Sequence, residues 1–183
     1  MKPLAIPLAI ALFCPSPVFA AWEEVPDDSD CAVIQSFELG SSIIIGKSKT
    51  DEPLSDEAYI AFFNDSWSLK EGDEIKEEIK LLANDGSWLK SSAVAMDNGF
   101  LIYTELKWVK NFRSVSDVGV FKGKERIGAY NWDLFFLGLS RLDSCIAKVR
   151  APILEQQRLE SVRKATPLDP FAKSADANKP PKP

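Results

Sequence analysis

Short runs of apolar residues, each closed by turn-forming residues, dominate the first half of the chain and predict β-strands. Residues 31–37 and 42–45 are two such runs, and glycines flank them in the manner of a hairpin. Residues 58–63 form a third run, which ends at an Asn-Asp turn. The pattern favours antiparallel β-structure.

Residues 74–83 fit two structures. Their isoleucines and leucines recur at a spacing that suits a helix, but alternate positions also suit one face of a strand. The Asp85-Gly86 pair that follows is typical of a type I′ hairpin turn, and residues 92–96 have the composition of a strand. These signals favour a β-hairpin across 75–96, and the helical alternative stays open.

The second half of the chain contains both kinds of pattern. Residues 104–112 predict a short helix, because their apolar positions lie roughly along one side. Residues 114–121 and 126–132 flank a Lys-Gly-Lys turn and predict another hairpin.

The clearest helix is predicted from Leu134 to about Val149, with Asp133 as its N-cap. Gly138, which is unfavourable inside a helix, indicates a turn that lies close to a strand. Cys145 falls on the apolar side and should face the sheet. One stripe contains the apolar positions Leu134, Phe135, Gly138, Leu139, Leu142, Cys145, Ile146 and Val149.

Proline and glycine divide the chain. The nine glycines all lie between Gly40 and Gly138, whereas no proline occurs between Pro53 and Pro152. We therefore predict a single β-rich domain over residues 21–150. Its fold class is α+β, with an antiparallel β-sheet or small β-sandwich of about six or seven strands and a C-terminal amphipathic helix packed on it.

Residues 151–183 are predicted to be a flexible tail that contains proline and lysine. The first dozen residues suit a frayed helix, but the rest combine five prolines with low hydrophobicity. Such a segment buries too little apolar surface to offset the entropy of ordering.

Residues 1–20 have the pattern of a signal peptide. Lys2 precedes an apolar stretch, and the segment ends in small residues at Ala20. A short helix of the folded domain is disfavoured because the segment contains several prolines. We expect cleavage after Ala20 and a periplasmic or secreted protein, with no transmembrane span in the mature chain.

Export decides how the cysteines are interpreted. Cys14 would leave with the signal peptide, so Cys31 and Cys145 remain, near the two ends of the predicted domain. An oxidising compartment joins such a pair. The sequence therefore predicts a disulfide between Cys31 and Cys145, with two free buried thiols as the alternative.

The composition limits the chemistry. The chain has no histidine, which excludes catalysis with an imidazole base and the common zinc sites. The formal net charge is -5, with most acidic residues before Glu78. A basic cluster follows, comprising Lys107, Lys110, Arg113, Lys122, Lys124 and Arg126. An acidic patch for a basic partner and a solvated surface are both consistent with this distribution, and we expect no nucleic-acid partner.

No catalytic, cofactor-binding or metal-binding residue is predicted, because the chain lacks the phosphate-loop, zinc and nucleophile motifs. The acidic segments 27–30 and 51–57 carry oxygen ligands for a hard cation, but their spacing favours solvated turns. The five tryptophans are spread along the chain, which favours core packing over a sugar-binding surface. A carboxylate pair of the glycosidase kind remains open.

The order of these features resembles small exported bacterial proteins and, more distantly, the invasion-associated locus B group. The resemblance is carried by Trp22, residues 31–35, the Asp85-Gly86 turn and the segment 132–142 before the last cysteine. It implies an antiparallel sheet or β-sandwich with a covering helix, and an envelope location. It implies no catalytic residues.

We therefore expect an exported, non-enzymatic interaction module that binds an envelope protein or surface. One alternative is an acidic inhibitor of a cationic envelope hydrolase. Another is a histidine-free carboxylate hydrolase of cell-wall sugar. No cofactor is predicted.

Overall fold

A computed structural model of the chain describes residues 21–165. The predicted signal peptide and residues 166–183 of the predicted tail lie outside the described residues. The helices are α1 (Leu106–Asn111) and α2 (Phe135–Ala165). The strands are β1 (Glu23–Val25), β2 (Asp30–Phe37), β3 (Ser41–Ser48), β4 (Glu57–Asn64), β5 (Ile79–Ala83), β6 (Trp88–Ser91), β7 (Ala93–Met96), β8 (Gly99–Glu105), β9 (Asp117–Lys122) and β10 (Glu125–Asn131).

The strands form two antiparallel sheets. The larger sheet has the order β1-β2-β3-β4-β8-β7, and the smaller has the order β10-β9-β5-β6. With α2 packed beside them, the fold is α+β, as the sequence predicted. The ten strands of the described residues exceed the predicted six or seven. The strands β1, β6 and β7 have only three or four residues each, too few to show a period in the sequence.

The core lies between the two sheets and α2. Alternate residues of each strand share a face, and the inward positions of β3 and β4 are fully buried isoleucines and phenylalanines such as Ile45 and Phe62. The smaller sheet contributes Leu81 and Val120 from the opposite side. One continuous apolar cluster therefore joins both sheets and the helix.

The segment 74–83 contains strand β5, so the hairpin signal was the better guide. The turn itself differs from the prediction. Gly86 has φ +87°, but Asp85 is not among the described residues with positive φ. The Gly86 amide donates to the Ala83 carbonyl, 3.1 Å away. This is a type I turn followed by a left-handed glycine, because type I′ requires positive φ at both central residues.

The predicted second strand of this hairpin, residues 92–96, was also wrong in part. Strand β5 pairs with β6, whereas β7, which holds most of the predicted run 92–96, pairs with β8 in the larger sheet. The chain thus changes sheet at Ser92, the single residue between β6 and β7. The predicted hairpin over 114–132 is confirmed as β9 and β10, and α1 lies within the predicted helix 104–112.

Helix α2 begins later and ends later than predicted. Leu134 has φ +61° and is exposed, so the first helical residue is Phe135 and Asp133 is not adjacent to it. The buried stripe is otherwise as expected, with Phe135, Leu139, Leu142 and Ile146 in the core. A Cβ on Gly138 would lie 3.0 Å from the Trp22 side chain, so the neighbour that this turn approaches precedes β1.

The helix passes Pro152 and reaches Ala165, instead of ending near Val149. A proline removes one backbone donor and disturbs the preceding turn, but the residues after it are rich in leucine, glutamate, glutamine and arginine, which favour helix. This extension occupies the segment for which the sequence left a frayed helix open. Its side chains from Leu154 to Arg163 are exposed.

The structure places the two cysteines at disulfide distance. The sulfur atoms of Cys31 and Cys145 are 2.08 Å apart, and their Cα atoms are 5.7 Å apart. Cys31 lies in β2 and Cys145 in α2, so the link joins the helix to the larger sheet.

Candidate binding surface on the outer face of the larger sheet

The face of the larger sheet that points away from the core is also apolar. Residues paired directly across strands share a face, and Tyr59 pairs with Tyr103 while Ala61 pairs with Leu101. Tyr103 is 54% exposed. The other outward apolar positions are Ile34, Ile44, Phe63, Val94 and Met96. An antiparallel sheet with one buried face normally carries polar residues on the other, so this face is exceptional.

Two glycines shape this face, because an aromatic ring of β4 lies over each. A Cβ built on Gly46 would lie 2.4 Å from the Tyr59 hydroxyl oxygen, and one on Gly99 would lie 2.7 Å from a ring carbon of Phe63. The rings therefore lie along the sheet instead of standing away from it. The result is a shallow hollow with an aromatic floor.

A hydrogen bond fixes the Tyr59 ring. Its hydroxyl donates to Oδ2 of Asp30, 2.8 Å away, and Asp30 lies at the start of β2. Burial, followed by this hydrogen bond, holds the pKa of Tyr59 above its usual range. The phenol therefore stays neutral and in place at physiological pH.

We call this hollow the outer-face cleft. Its volume is about 590 Å³. It is lined by Ser29, Asp30, Ile44, Lys47, Ser48, Thr50, Asp51, Glu57, Ala58, Tyr59, Ala61, Phe63, Met96, Leu101 and Tyr103. A concave apolar surface with a few polar groups at one end is the usual form of a binding site.

Carboxylates gather at one end of the outer-face cleft. Glu57 pairs directly with Glu105 across β4 and β8, so two negative side chains share one position on the same face. Like charges placed opposite each other are unfavourable unless a cation joins them. Asp30 and Asp51 line the same cleft. Lys107, which forms an ion pair with Glu105, partly compensates.

The loop between β3 and β4 supplies Asp51 to this acidic end, and two cations hold the loop in place. Lys47 is buried, and its Nζ donates to the Ser55 hydroxyl at 3.1 Å and to the Glu57 carbonyl at 3.3 Å. Burial lowers the pKa of Lys47, and the nearby Arg150 lowers it further. Arg150 of α2 donates to the carbonyls of Pro53 and Ser55. These contacts position the loop that carries Asp51.

The acidic segments of the sequence take different roles in the structure. Asp27 accepts from the amide and hydroxyl of Ser29, both at 2.7 Å, and these bonds lower its pKa. It is a turn residue. Asp30 and Asp51, in contrast, line the outer-face cleft. Within residues 21–165, no three acidic or cysteine side chains are grouped as a metal site would need.

The five tryptophans differ in how far they are buried. Trp22 and Trp132 are buried and in edge contact, with ring centroids 5.6 Å apart, in agreement with the core packing that the sequence favoured. Trp67 is half-buried and stacks on Phe100. Trp88 and Trp108 are exposed and lie outside the outer-face cleft.

A second, smaller apolar hollow opens between the two sheets, beside Trp67. Its volume is about 290 Å³, and Leu69, Ile75 and Ile127 line it. These side chains belong to the edge of the continuous core cluster. We interpret this hollow as the margin of the core.

Sequence reasoning missed the outer-face cleft, although a signal for it was present. Residues 43–45 and 58–63 are nearly continuous apolar runs. In a strand, such a run places apolar side chains on both faces, whereas alternation marks a strand with one solvated face.

Comparison of the chain with family models, with curated proteins and with solved structures gave no match. In the described part of the chain, no helix has both the length and the apolar character needed to cross a membrane.

Proposed function

We propose that this chain is an exported envelope protein that acts by binding, and that it holds a basic, apolar segment of another envelope protein in the outer-face cleft. The observation that carries the proposal is an aromatic sheet face that opens to solvent beside a group of carboxylates. Apolar contacts would supply affinity, and the carboxylates would select a cationic partner.

Export is supported by the leader-like pattern of residues 1–20 and by the cysteine pair at disulfide distance. In this proposal the disulfide holds α2 on the sheet, and Arg150 of α2 then holds the loop that carries the acidic end of the cleft. The covalent link would thus stabilise the recognition surface.

Capture from crosslinked envelopes tests the proposal. The tagged chain should recover a partner, and the Tyr103→Ala variant should lose it, because Tyr103 is an exposed part of the cleft. The matched control is Trp88→Ala, which removes an equally exposed aromatic side chain from the smaller sheet. Recovery of the same partner by both variants, or no partner with either, would contradict the proposal.

The acidic end of the cleft also favours a second function, the inhibition of a cationic envelope hydrolase. Docking of carboxylates on a basic active-site rim predicts an affinity that falls steeply with salt concentration. The test is an enzyme assay with such a hydrolase, in which the Glu57→Gln variant should inhibit less. Unchanged activity of the hydrolase at low salt would remove this alternative.

A further inference from the structure

We infer that residues 179–183 of this chain, with the sequence Lys-Pro-Pro-Lys-Pro, bind in the outer-face cleft of the same molecule and compete there with the partner. The inference rests on the proposed function, since it takes the outer-face cleft as the recognition surface. It adds a ligand chemistry and a means of regulation.

The floor of the outer-face cleft is aromatic, which suits a proline-rich ligand. Proline-rich segments favour the polyproline II conformation and bind in grooves lined by aromatic side chains, where they lose little entropy. Tyr59 and Tyr103 are cross-strand neighbours on the floor, and Phe63 lies on the same face of β4. This arrangement offers flat aromatic surfaces to proline rings.

The charges of the segment and of the cleft are complementary. A polyproline II helix has three residues per turn, so Lys179 and Lys182 share one edge while Pro180 and Pro183 share another. One edge would rest on the tyrosines and the other would reach the carboxylates. The unfavourable Glu57 and Glu105 pair and the nearby Asp30 and Asp51 provide the complementary charge.

The chain after α2 is long enough for residues 179–183 to return to the cleft. Arg150 contacts the loop whose Asp51 lines the cleft, so α2 leaves the domain at the acidic end. From Arg150 to Ala165 the helix extends about 22 Å at 1.5 Å per residue. Residues 166–179 would span about 43 Å in polyproline II conformation, which is enough to return to the cleft.

Two forms of the exported chain test the inference, the intact chain and a chain that ends at Asn178. The probe is a fluorescent synthetic peptide of residues 176–183, and its binding is followed by anisotropy. The shortened chain should bind the peptide, and the intact chain should bind it about tenfold more weakly if the peptide Kd is about 0.1 mM, because a tethered segment competes at an effective concentration near millimolar.

The controls test the contacts between the peptide prolines and the cleft. The Tyr103→Ala form of the shortened chain, or a peptide with Pro180→Ala and Pro183→Ala, should lose binding, while the Trp88→Ala form should keep it. Equal affinity of the intact and shortened chains, or no binding by the shortened chain, would overturn the inference. A dimer of the intact chain in sedimentation, absent from the shortened chain, would also overturn it, because the segment would then bind a second copy.

Capture of the envelope partner separates this inference from the proposed function. Stronger capture by the shortened chain supports competition. If both forms capture the partner equally, the competition is wrong and the proposed function stands. If neither form captures a partner while the peptide still binds as expected, the proposed function fails and the binding of residues 179–183 remains.

Discussion

At the scale of single residues, Gly46 determines where the Tyr59 ring lies. A methyl group at position 46 would lie 2.4 Å from the Tyr59 hydroxyl oxygen, so the ring would have to leave the sheet surface and release Asp30. We expect Gly46→Ala to lower the free energy of unfolding by about 1–3 kcal/mol, the usual cost of overpacking. Urea denaturation measures this change.

The Tyr59→Ala background supplies the control. There the ring is absent, so the same Gly46→Ala substitution should cost clearly less, and the difference is the coupling between the two sites. An equal cost in both backgrounds would mean that Gly46 is needed for some reason other than the ring.

The Tyr59 hydroxyl predicts a pH dependence. Burial and the Asp30 hydrogen bond raise the pKa of Tyr59, so the folded state keeps the proton where the unfolded state loses it. The contribution to stability is complete below the unfolded pKa of about 10 and is lost as pH rises above it. The unfolding free energy of Tyr59→Phe should therefore fall less between pH 9 and 11 than that of the parent chain.

Tyr130 gives a useful comparison, because burial alone raises its pKa to about 12. The Tyr130→Phe variant should also flatten the profile above pH 10, but it should leave the Tyr59 hydroxyl and the cleft unchanged. A Tyr59→Phe profile identical to that of the parent would contradict a raised pKa of Tyr59 in the folded chain.

At the scale of elements, the contact between α2 and the loop of residues 49–56 positions the acidic end of the cleft. Arg150 donates to several loop carbonyls from one guanidinium group, a geometry that lysine does not reproduce. The Arg150→Lys variant should show faster amide exchange in the loop and a loss of stability of about 1–3 kcal/mol.

Arg158→Lys is the matched control for this prediction. Arg158 lies on the exposed extension of α2 and pairs with Glu155 of the same helix. Its replacement should leave exchange in the loop unchanged. Protection that is the same in the parent, Arg150→Lys and Arg158→Lys forms would show that the loop is held by other contacts.

Reduction of the Cys31–Cys145 pair should lower the stability of the chain by a large amount. The two residues are separated by 114 positions, and closing a loop of that length contributes about 4–5 kcal/mol in the chain-entropy model. Reduction should lower the Tm by about 2–4 °C for each kcal/mol lost. Calorimetry of the oxidised and reduced chains measures the shift.

Variants of the two cysteines sharpen this prediction. Cys31→Ser and Cys145→Ser should lower the Tm equally, and the double variant should lower it no further, because each change removes the same bond. Two thiols that titrate freely in the native protein would contradict the pairing.

At the scale of the whole molecule, strands β2, β3, β4, β9 and β10 were predictable from their apolar runs and flanking turns, whereas β8 and the change of sheet were not. The hairpin of β5 and β6 had a local signal in Asp85-Gly86. Strands β6 and β7 are separated by one residue, yet β6 pairs back to β5 in the smaller sheet and β7 pairs forward to β8 in the larger one, and packing decides which sheet each joins. The length of α2 was predicted only in part, because the sequence ended the clear helix near Val149 and left a frayed helix open beyond it, whereas α2 continues through Pro152 to Ala165.

The candidate site was less predictable than the fold. Asp30 and Asp51 stood out in the sequence only as members of acidic turns. Their place beside Tyr103 depends on the register of β4 and β8, which no local pattern defines. The apolar character of the outer face was visible in residues 58–63, but its concave shape required the glycines of neighbouring strands.

The position of the disulfide has a mechanical consequence. Under tension between residues 21 and 165, the load would pass from β2 to α2 through the sulfur atoms, so residues 32–144 would lie outside the load path. Single-molecule stretching should release about 400 Å of contour length only after reduction, at about 3.3–3.6 Å per residue. Strands β3, β4, β7 and β8, which build the outer-face cleft, all lie in the shielded segment. A pulling force would therefore not act directly on these four strands, whereas Asp30 and Arg150 lie on the loaded side of the cysteines.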